Sequence, residues 1–470
     1  MKKNRLFFIV FMIIVFSITG FSTEKNLSVS GRVKFFGSVF LTDNTGKYFN
    51  HDSGDFGLKR LETRLKIAGN LNDRISYNLR FDGFSNSGTL FTKNSFPESG
   101  ILSSPVYSEY FELNLYEANI MISDFLIDNL DLTIGKQRIS WGTADKIGVM
   151  DNLNPIDFAN FFTFDPDYAF EKRPQTALNF EYYTGDNSKI QFIWLMQHQV
   201  SPLPYGYTLL TKQSMKVNNI EVSNNWRNNI KDSNFGIRFS TNLFNIDFGF
   251  SFYNGNISLP IIKSYMLSSI PSAEFFYGKE KIVGTDFSTS IGGASVWGEA
   301  AYIIPDDSSG LIQVPVVLNN NFIGVRNINF SLFEKGFFKY VIGGDYNFAH
   351  GFYINFQYLH GFFDEFDYSK EAEKYFMKRK GEFFGEISDY IIPDIEYKFH
   401  GDDYKIKLSG IIEISDKTSW TLTPQIELRI ADGLILSAGG FFVISGDETK
   451  TKFGEFKKDK LFYLSLKIDF

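Results

Sequence analysis

Residues 60–82, RLETRLKIAGNLNDRISYNLRFD, decide the fold. Leu61, Leu65 and Ile67 and, beyond the turn Asn70-Leu71-Asn72-Asp73, Ile75, Tyr77, Leu79 and Phe81 share one face; Arg60, Glu62, Arg64, Lys66, Arg74, Ser76, Asn78, Arg80 and Asp82 share the other. Strict two-residue alternation means a pair of half-apolar strands. Alternation alone does not say which face is inside: a soluble sandwich buries the apolar side, whereas a membrane barrel turns it to lipid.

The rest of the chain supplies the choice. The first strand repeats the pattern, with Leu27, Val29, Val33, Phe35 and Val39 against Ser28, Ser30, Arg32, Lys34 and Ser38. About eighteen such strands can be laid along the chain, with sixteen as the alternative count. Connections alternate between short turns (70–73, 184–188, 349–351, 401–403, 431–433) and long segments (41–57, 85–108, 142–170, 200–231, 256–283, 304–336, 362–389, 446–460). One short turn, 415–418, stands where the series calls for a long loop. A sandwich has no reason to segregate loop lengths, whereas an outer-membrane barrel has short periplasmic turns and long extracellular loops. The expected fold is all-β: a closed transmembrane antiparallel β-barrel, one domain over 23–470. Closure is required because lipid tolerates no unpaired strand edge.

Composition agrees. Residues 1–22 read as a secretory signal peptide, with Lys2, Lys3 and Arg5 before an apolar run Leu6–Phe16 and small residues Gly20 and Ser22 at the cleavage site. That run is roughly half the 20 residues a spanning helix needs. There is no cysteine, hence no disulfide and no lipid-anchor thiol. Removing residues 1–22 leaves 44 basic against 54 acidic residues, net −10, an acidity that disfavours nucleic acid as a partner. No cofactor and no metal is expected: the five histidines, His51, His198, His350, His360 and His400, have no metal-ligand spacing, and the chain is not read as an enzyme. The mature chain enters its first strand a few residues after the cleavage site and ends on its last, which leaves no length for an amino-terminal plug or a periplasmic domain.

The last strand sets Phe462, Leu464, Leu466, Ile468 and Phe470 on one face. In ending on Phe it resembles outer-membrane barrels as a class, a resemblance that implies recognition by the barrel-assembly machinery. Gly135-Lys136-Gln137, then Ser140-Trp141-Gly142, then Asp151, Asn154-Pro155 and Asp157 resemble a pattern found in porin-like outer-membrane families. That resemblance implies a barrel with an inserted loop, and it implies no substrate. In general porins the third long loop narrows the channel, and residues 142–170 form the third long loop here. Porins of this kind are often homotrimers, and the outward face would meet outer-membrane lipid.

Within this loop Asn154-Pro155-Ile156-Asp157 has helix-start chemistry, an Asn cap with Pro at the first position, and predicts a short helix over 155–162. Phe158, Phe161 and Phe162 are too apolar for solvent and predict docking into the lumen; they are also candidate contacts for a loop ligand. The expected constriction sets loop acids Asp145, Asp151 and Asp157 with Gln137 and Arg138 against wall residues Arg60, Arg64 and Arg80, a transverse field that sorts ions. An equally weighted reading lets these charges pair with one another and hold the wall. Trp141, Trp194, Trp297 and Trp420 read as interfacial aromatics. Ser369–Gly381 reads as an exposed loop helix. The expected function is passive diffusion of small hydrophilic solutes across the cell outer membrane. The alternatives are a specific transporter for an apolar or aromatic compound, and a surface adhesin or structural barrel with an occluded lumen.

Overall fold

The computed structural model describes residues 27–45, 50–88, 109–145, 147–158, 165–168, 170–202, 214–217, 220–224, 230–266, 272–306, 309–318, 321–375, 385–414, 418–446 and 451–470. The signal peptide expected over residues 1–22 lies outside them.

Eighteen strands form one closed antiparallel sheet. In chain order they are β1 (Leu27–Phe40), β2 (Phe56–Asn72), β3 (Ile75–Ser87), β4 (Glu109–Ile122), β5 (Leu130–Gln137), β6 (Gln175–Gly185), β7 (Ser188–Leu195), β8 (Asn234–Leu243) and β9 (Ile246–Asn256). The series continues with β10 (Lys279–Ile291), β11 (Ala294–Pro305), β12 (Phe337–Asn347), β13 (Phe352–His360), β14 (Asp389–Phe399), β15 (Tyr404–Ile414), β16 (Ser419–Ala431), β17 (Leu434–Ser445) and β18 (Leu461–Asp469). Each pairs with its neighbour in sequence, and β18 closes on β1 with Val33 opposite Ile468 and Lys34 opposite Lys467. The expected count of eighteen, the alternating loop lengths and the short connection at 415–418 are all present.

The barrel is apolar outside and charged inside. Phe35, Ile120, Phe192, Ile237, Phe250, Ile342, Phe356, Ile406, Ile426 and Leu464 are exposed, whereas Glu62, Asp82, Asp286, Glu299 and Glu413 are buried. Only a lipid surround makes that arrangement favourable, so the closed sheet spans a membrane. An antiparallel barrel with one short-turn end and one long-loop end is the outer-membrane form.

The seam is fitted by a ring over a missing side chain. Gly31 and Phe470 exchange backbone hydrogen bonds of 2.7 and 3.0 Å, and a Cβ on Gly31 would stand 2.4 Å from the Phe470 ring. The terminal aromatic thus covers the strand glycine across the closing ladder.

Two features were not read from the sequence. The long connections after β7, β9 and β11 carry a second sheet of six strands, in the order Ser214–Val217, Ile220–Asn224, Ser272–Phe276, Ile261–Met266, Ser309–Leu318 and Asn321–Ser331. Its two junctions between different loops are parallel pairings, which local alternation cannot announce. In addition β5 ends at Gln137 rather than at Trp141, and the β4–β5 ladder holds only from Ala118↔Lys136 to Ile122↔Leu132. The chain leaves the wall there and turns inward, burying Ile139 and Trp141. Trp141 and Trp297 therefore stand inside the barrel, not in an interfacial girdle, while Trp420 is exposed on the outside.

The expected helix over 155–162 is corrected at its start. Ile156 makes an antiparallel bridge with Lys172, Asp157 donates its N–H to the Glu171 carbonyl at 2.8 Å, and Arg173 donates to the Pro155 carbonyl at 2.8 Å. The Asn154 amide that would have capped the helix donates instead to the Ile139 carbonyl. Helical geometry is present at Phe158; residues 159–162 lie outside the described residues. In the later loop a helix α1 (Lys370–Tyr375) is present and Ser369 Oγ accepts the Ala372 N–H at 3.1 Å, the cap its sequence predicts. Ala372 is fully buried, so this helix is packed rather than free in solvent.

Candidate functional site: the lumen and its inserted loop

Between β5 and β6, the described residues of 138–174 cross the barrel interior and are fastened on several sides. The far anchor is Glu299 on β11, whose carboxylate accepts four loop N–H groups: Thr143 at 2.6 Å, Ala144 at 2.7 Å, Val149 at 2.8 Å and Met150 at 3.0 Å. Four donors on one buried carboxylate form a strong, geometrically specific clamp. Gly142 makes it possible: its φ of +95° favours glycine, and a Cβ there would lie 2.1 Å from Glu299 Oε1. The wall gives way correspondingly. Inward-facing Gly236 and Gly284 leave room for the Trp141 ring and the Met150 thioether, each of which would meet a Cβ within about 2.5 Å. Trp141 Nε1 donates to Gln191 Oε1 at 2.7 Å, and Asn355 Nδ2 donates to Asp145 Oδ2 at 3.2 Å.

The return arm is bound to β1–β4 by charge. Lys34 Nζ lies 2.6 Å from Asp165 and 2.8 Å from Asp167. Arg80 bonds Asp82 at 2.9 Å and reaches Glu171 at 3.3 Å, and Tyr116 donates its hydroxyl to the same Glu171 at 2.8 Å. Arg64 pairs with Asp82 at 3.1 Å and donates to the Tyr168 hydroxyl at 3.3 Å. Within the loop, Arg173 pairs with Asp157 at 2.6 Å and Lys172 with Asp151 at 3.1 Å. Burial works against the Asp167 carboxylate, but Lys34 outweighs it and holds Asp167 below the usual carboxylate range. Likewise burial disfavours the Arg173 guanidinium, yet Asp157 and Glu112 hold it above its ordinary value.

A third fastening joins loops to one another. Phe158 and Phe170 pack against Phe363 at ring distances of 5.4 and 6.0 Å. Beneath them Lys452 Nζ sits 2.8 Å from both Asp364 oxygens, and Glu365 accepts the N–H groups of Phe362 and Ser388 at 2.8 and 3.1 Å and the Tyr390 hydroxyl. Neither Glu299 nor the Asp364–Glu365–Lys452 cluster was singled out from the sequence; a carboxylate on an inward strand face looks the same whether it meets water or a loop.

The predicted site residues are thus divided. Arg60, Arg64 and Arg80 lie on the β2–β3 wall, with Arg60 buried and 3.8 Å from Asp165. Gln137 is buried and donates to the Ala177 carbonyl at 3.3 Å. Asp151 and Asp157 are ion-paired inside the loop. Arg138 and Asp145 face open space, and Phe158 is buried with its ring against Phe363 of the loop after β13. Phe161 and Phe162 lie outside the described residues.

The open space is a cavity of about 780 Å³ between the loop and the β14–β18 wall. Its loop-side lining includes Arg138, Asp145, Asp167, Phe170 and Glu171; its wall carries Lys398, Lys405, Lys407, Gln425, Glu427, Arg429 and Lys467. At one end stand Phe453 and Phe456 from the long loop before β18, at the other Asp402 and Asp403 from the short β14–β15 turn. Lys405 pairs with Glu427 at 2.7 Å, and Lys407 with Asp394 and Glu396 at 3.1 and 2.9 Å. Among the described residues Lys398, Arg429 and Lys467 have no carboxylate within 4 Å.

The fold resembles solved outer-membrane barrels. Acinetobacter baumannii OccAB2 is 10% identical with a TM-score of 0.49, covering 96% of this chain and 99% of that one. Pseudomonas aeruginosa OccK1 (OpdK) is 8% identical with a TM-score of 0.46, covering 94% and 98%. Salmonella typhi OmpF, solved as a complex with daunomycin, is 7% identical with a TM-score of 0.41, covering 95% and 98%. Likeness at this level transfers no solute or activity. Comparison with curated proteins finds no match. A family profile does match, over residues 108–429, which is more than half of the chain and includes β4 to β15, most of β16 and the whole inserted loop. The chain belongs to the family described as "Protein of unknown function (DUF1302)".

Proposed function

We propose that this protein is an outer-membrane channel through which small solutes diffuse passively, with the inserted loop as its constriction. The observation that carries this reading is the cavity of about 780 Å³ whose lining extends from the loop residues Phe453 and Phe456 to the turn residues Asp402 and Asp403. A cavity lined from the long-loop end to the short-turn end of a closed barrel is the geometry of a transmembrane path, and an eighteen-stranded barrel is wide enough to hold one.

In this reading Arg138 and Asp145 border the narrow zone directly. Arg60, Arg64, Arg80, Gln137, Asp151 and Asp157 act one step back, by holding the loop. Selection is by size and by the charges the path presents, with no energy input. The reading includes insertion by the barrel-assembly machinery through the terminal strand ending in Phe470, and assembly as a homotrimer.

The test is conductance of the refolded protein in a planar bilayer. Discrete steps of constant size, together with a reversal potential in a salt gradient that moves when Arg138 or Asp145 is neutralised, are expected. A folded barrel that passes no current overturns the channel reading.

A further inference from the structure

The cavity lining is sorted along the barrel axis, and the sorting specifies a kind of solute. Toward the long loops it is apolar: Phe170, Ile392, Ile411, Phe441, Phe453 and Phe456. Toward the short turns it is cationic: Lys398, Lys405, Arg429 and Lys467. The strand register fixes these levels independently of the cavity itself. Lys398 faces Lys405 across β14–β15, and Arg429 and Lys467 both face Ile435 across their ladders with β17, one step from the 432–433 turn. Ile411 faces Thr421 and Phe441 lies four residues from the loop end of β17. Between the two ends lie the uncharged hydrogen-bonding groups Ser409, Thr423 and Gln425, with the ion-paired Lys407 opposite Gln425.

The charges do not cancel uniformly. Of the loop carboxylates on the cavity, Asp165 and Asp167 are held by Lys34 and Glu171 by Arg80, while Asp145 accepts from Asn355. On the wall Lys405 and Lys407 are also paired. Lys398, Arg429 and Lys467 form no such pair; the acids of the cavity lining at their level among the described residues are Asp402, Asp403 and Glu427, and Glu427 is held by Lys405. A low-dielectric enclosure with unspent cations at one end and an aromatic lining at the other complements a molecule with the opposite halves.

We infer that the channel prefers amphiphilic anions, molecules with one anionic head and an apolar body, over equally charged ions without that body. This rests on the channel reading above. Entering from the long-loop side, the apolar body is received among Phe441, Phe453 and Phe456, and the head is drawn toward Lys398, Arg429 and Lys467. Neither half suffices: the aromatic end gives the discrimination between anions, and the cationic end gives the discrimination against cations.

The experiment is block of single-channel current by hexanesulfonate and by methanesulfonate, which share a head and differ in the apolar body. It uses the mature protein, Phe441→Ser, and the triple variant Lys398→Gln, Arg429→Gln, Lys467→Gln, with the barrel fold of each checked by circular dichroism and heat-modifiable electrophoretic mobility. The mature protein should be blocked by hexanesulfonate at a concentration at least about tenfold lower than by methanesulfonate. Phe441→Ser should remove that ratio and leave methanesulfonate block unchanged. The triple variant should weaken block by both and move the reversal potential toward cations. Equal block of the mature protein by the two sulfonates, or an unchanged ratio in Phe441→Ser, overturns the inference while leaving the channel standing. Absence of any current overturns the channel reading instead.

Discussion

Two sides of one lumen carry similar charges and use them in opposite ways. On β1–β4 the cations Lys34, Arg64 and Arg80 are engaged by Asp165, Asp167, Asp82 and Glu171, and the wall and inserted loop form one ion-paired body. On β14–β18 Lys398, Arg429 and Lys467 face open space. The lesson is that a charged residue on an inward strand face has no role until the loop's path is known. Where the loop docks, charge is structure; where it does not, charge is available to a solute.

This contrast can be broken from either side. The largest effect is expected at the far anchor. Glu299→Ala strands four loop N–H groups, each of which loses a charge-assisted bond worth about 1.5–3 kcal/mol, and should loosen the loop by roughly 5 kcal/mol after water replaces part of the loss. Single-channel recordings should then show larger and noisier steps, with the barrel intact by circular dichroism.

Next comes Lys34→Met, which leaves the buried Asp165 carboxylate without its closest cation; breaking a buried pair in this way costs about 3–5 kcal/mol. Lowered thermal stability is expected, and Asp165→Asn in the same chain should recover part of it. A double variant no better than Lys34→Met alone would mean that Arg60 already compensates.

A smaller, pH-dependent effect concerns the loop after β7. Burial pushes the His198 imidazole down to about 4, below its ordinary 6.5, so the fold favours the neutral ring. Its contribution is whole above pH 6.5 and is lost as pH falls toward 4, at about 1.4 kcal/mol per unit. Protection factors of the amides in residues 196–202, taken relative to the intrinsic exchange rate at each pH, should fall between pH 7 and pH 5, and His198→Phe should abolish the change. The Asp167 pair runs on a lower range: with its carboxyl held below the usual value, the contact with Lys34 persists until pH falls beneath the ordinary carboxylate range.

The smallest effect on stability is expected on the open side. Neutralising Lys398, Arg429 and Lys467 together should leave thermal unfolding nearly that of the parent protein, because none of the three makes an ion pair and Lys398 and Lys467 reach Glu396 and Asp167 only through longer-range attraction, yet it should shift the reversal potential. A marked loss of stability in that variant would erase the distinction between the two walls.

Much of the barrel was legible from single residues. The alternation in 60–82, repeated in 27–40, assigns each side chain to a face, and the spacing of turns assigns loops to ends; both are local properties of a two-residue period. The inserted loop was legible as an apolar segment, carrying Phe158, that needed somewhere to dock, whereas Trp141, read as an interfacial aromatic, docks with it inside the barrel. The start of its helix was misplaced because Asn154, read as a cap, donates to the Ile139 carbonyl, a partner 15 residues away. The six-stranded loop sheet was missed because parallel pairing joins segments from different loops, such as Glu221 with Ser272.

By itself, then, the sequence determined an all-β closed barrel of about eighteen strands, apolar without and charged within, since lipid and water impose that alternation on every strand alike. Only the tertiary structure decided which of those charges are spent. Whether Lys34 finds Asp165, Glu299 finds four backbone N–H groups, or Lys398 finds open space depends on the three-dimensional path of a loop. That path is set by contacts across the lumen, which leave no periodic trace in the chain.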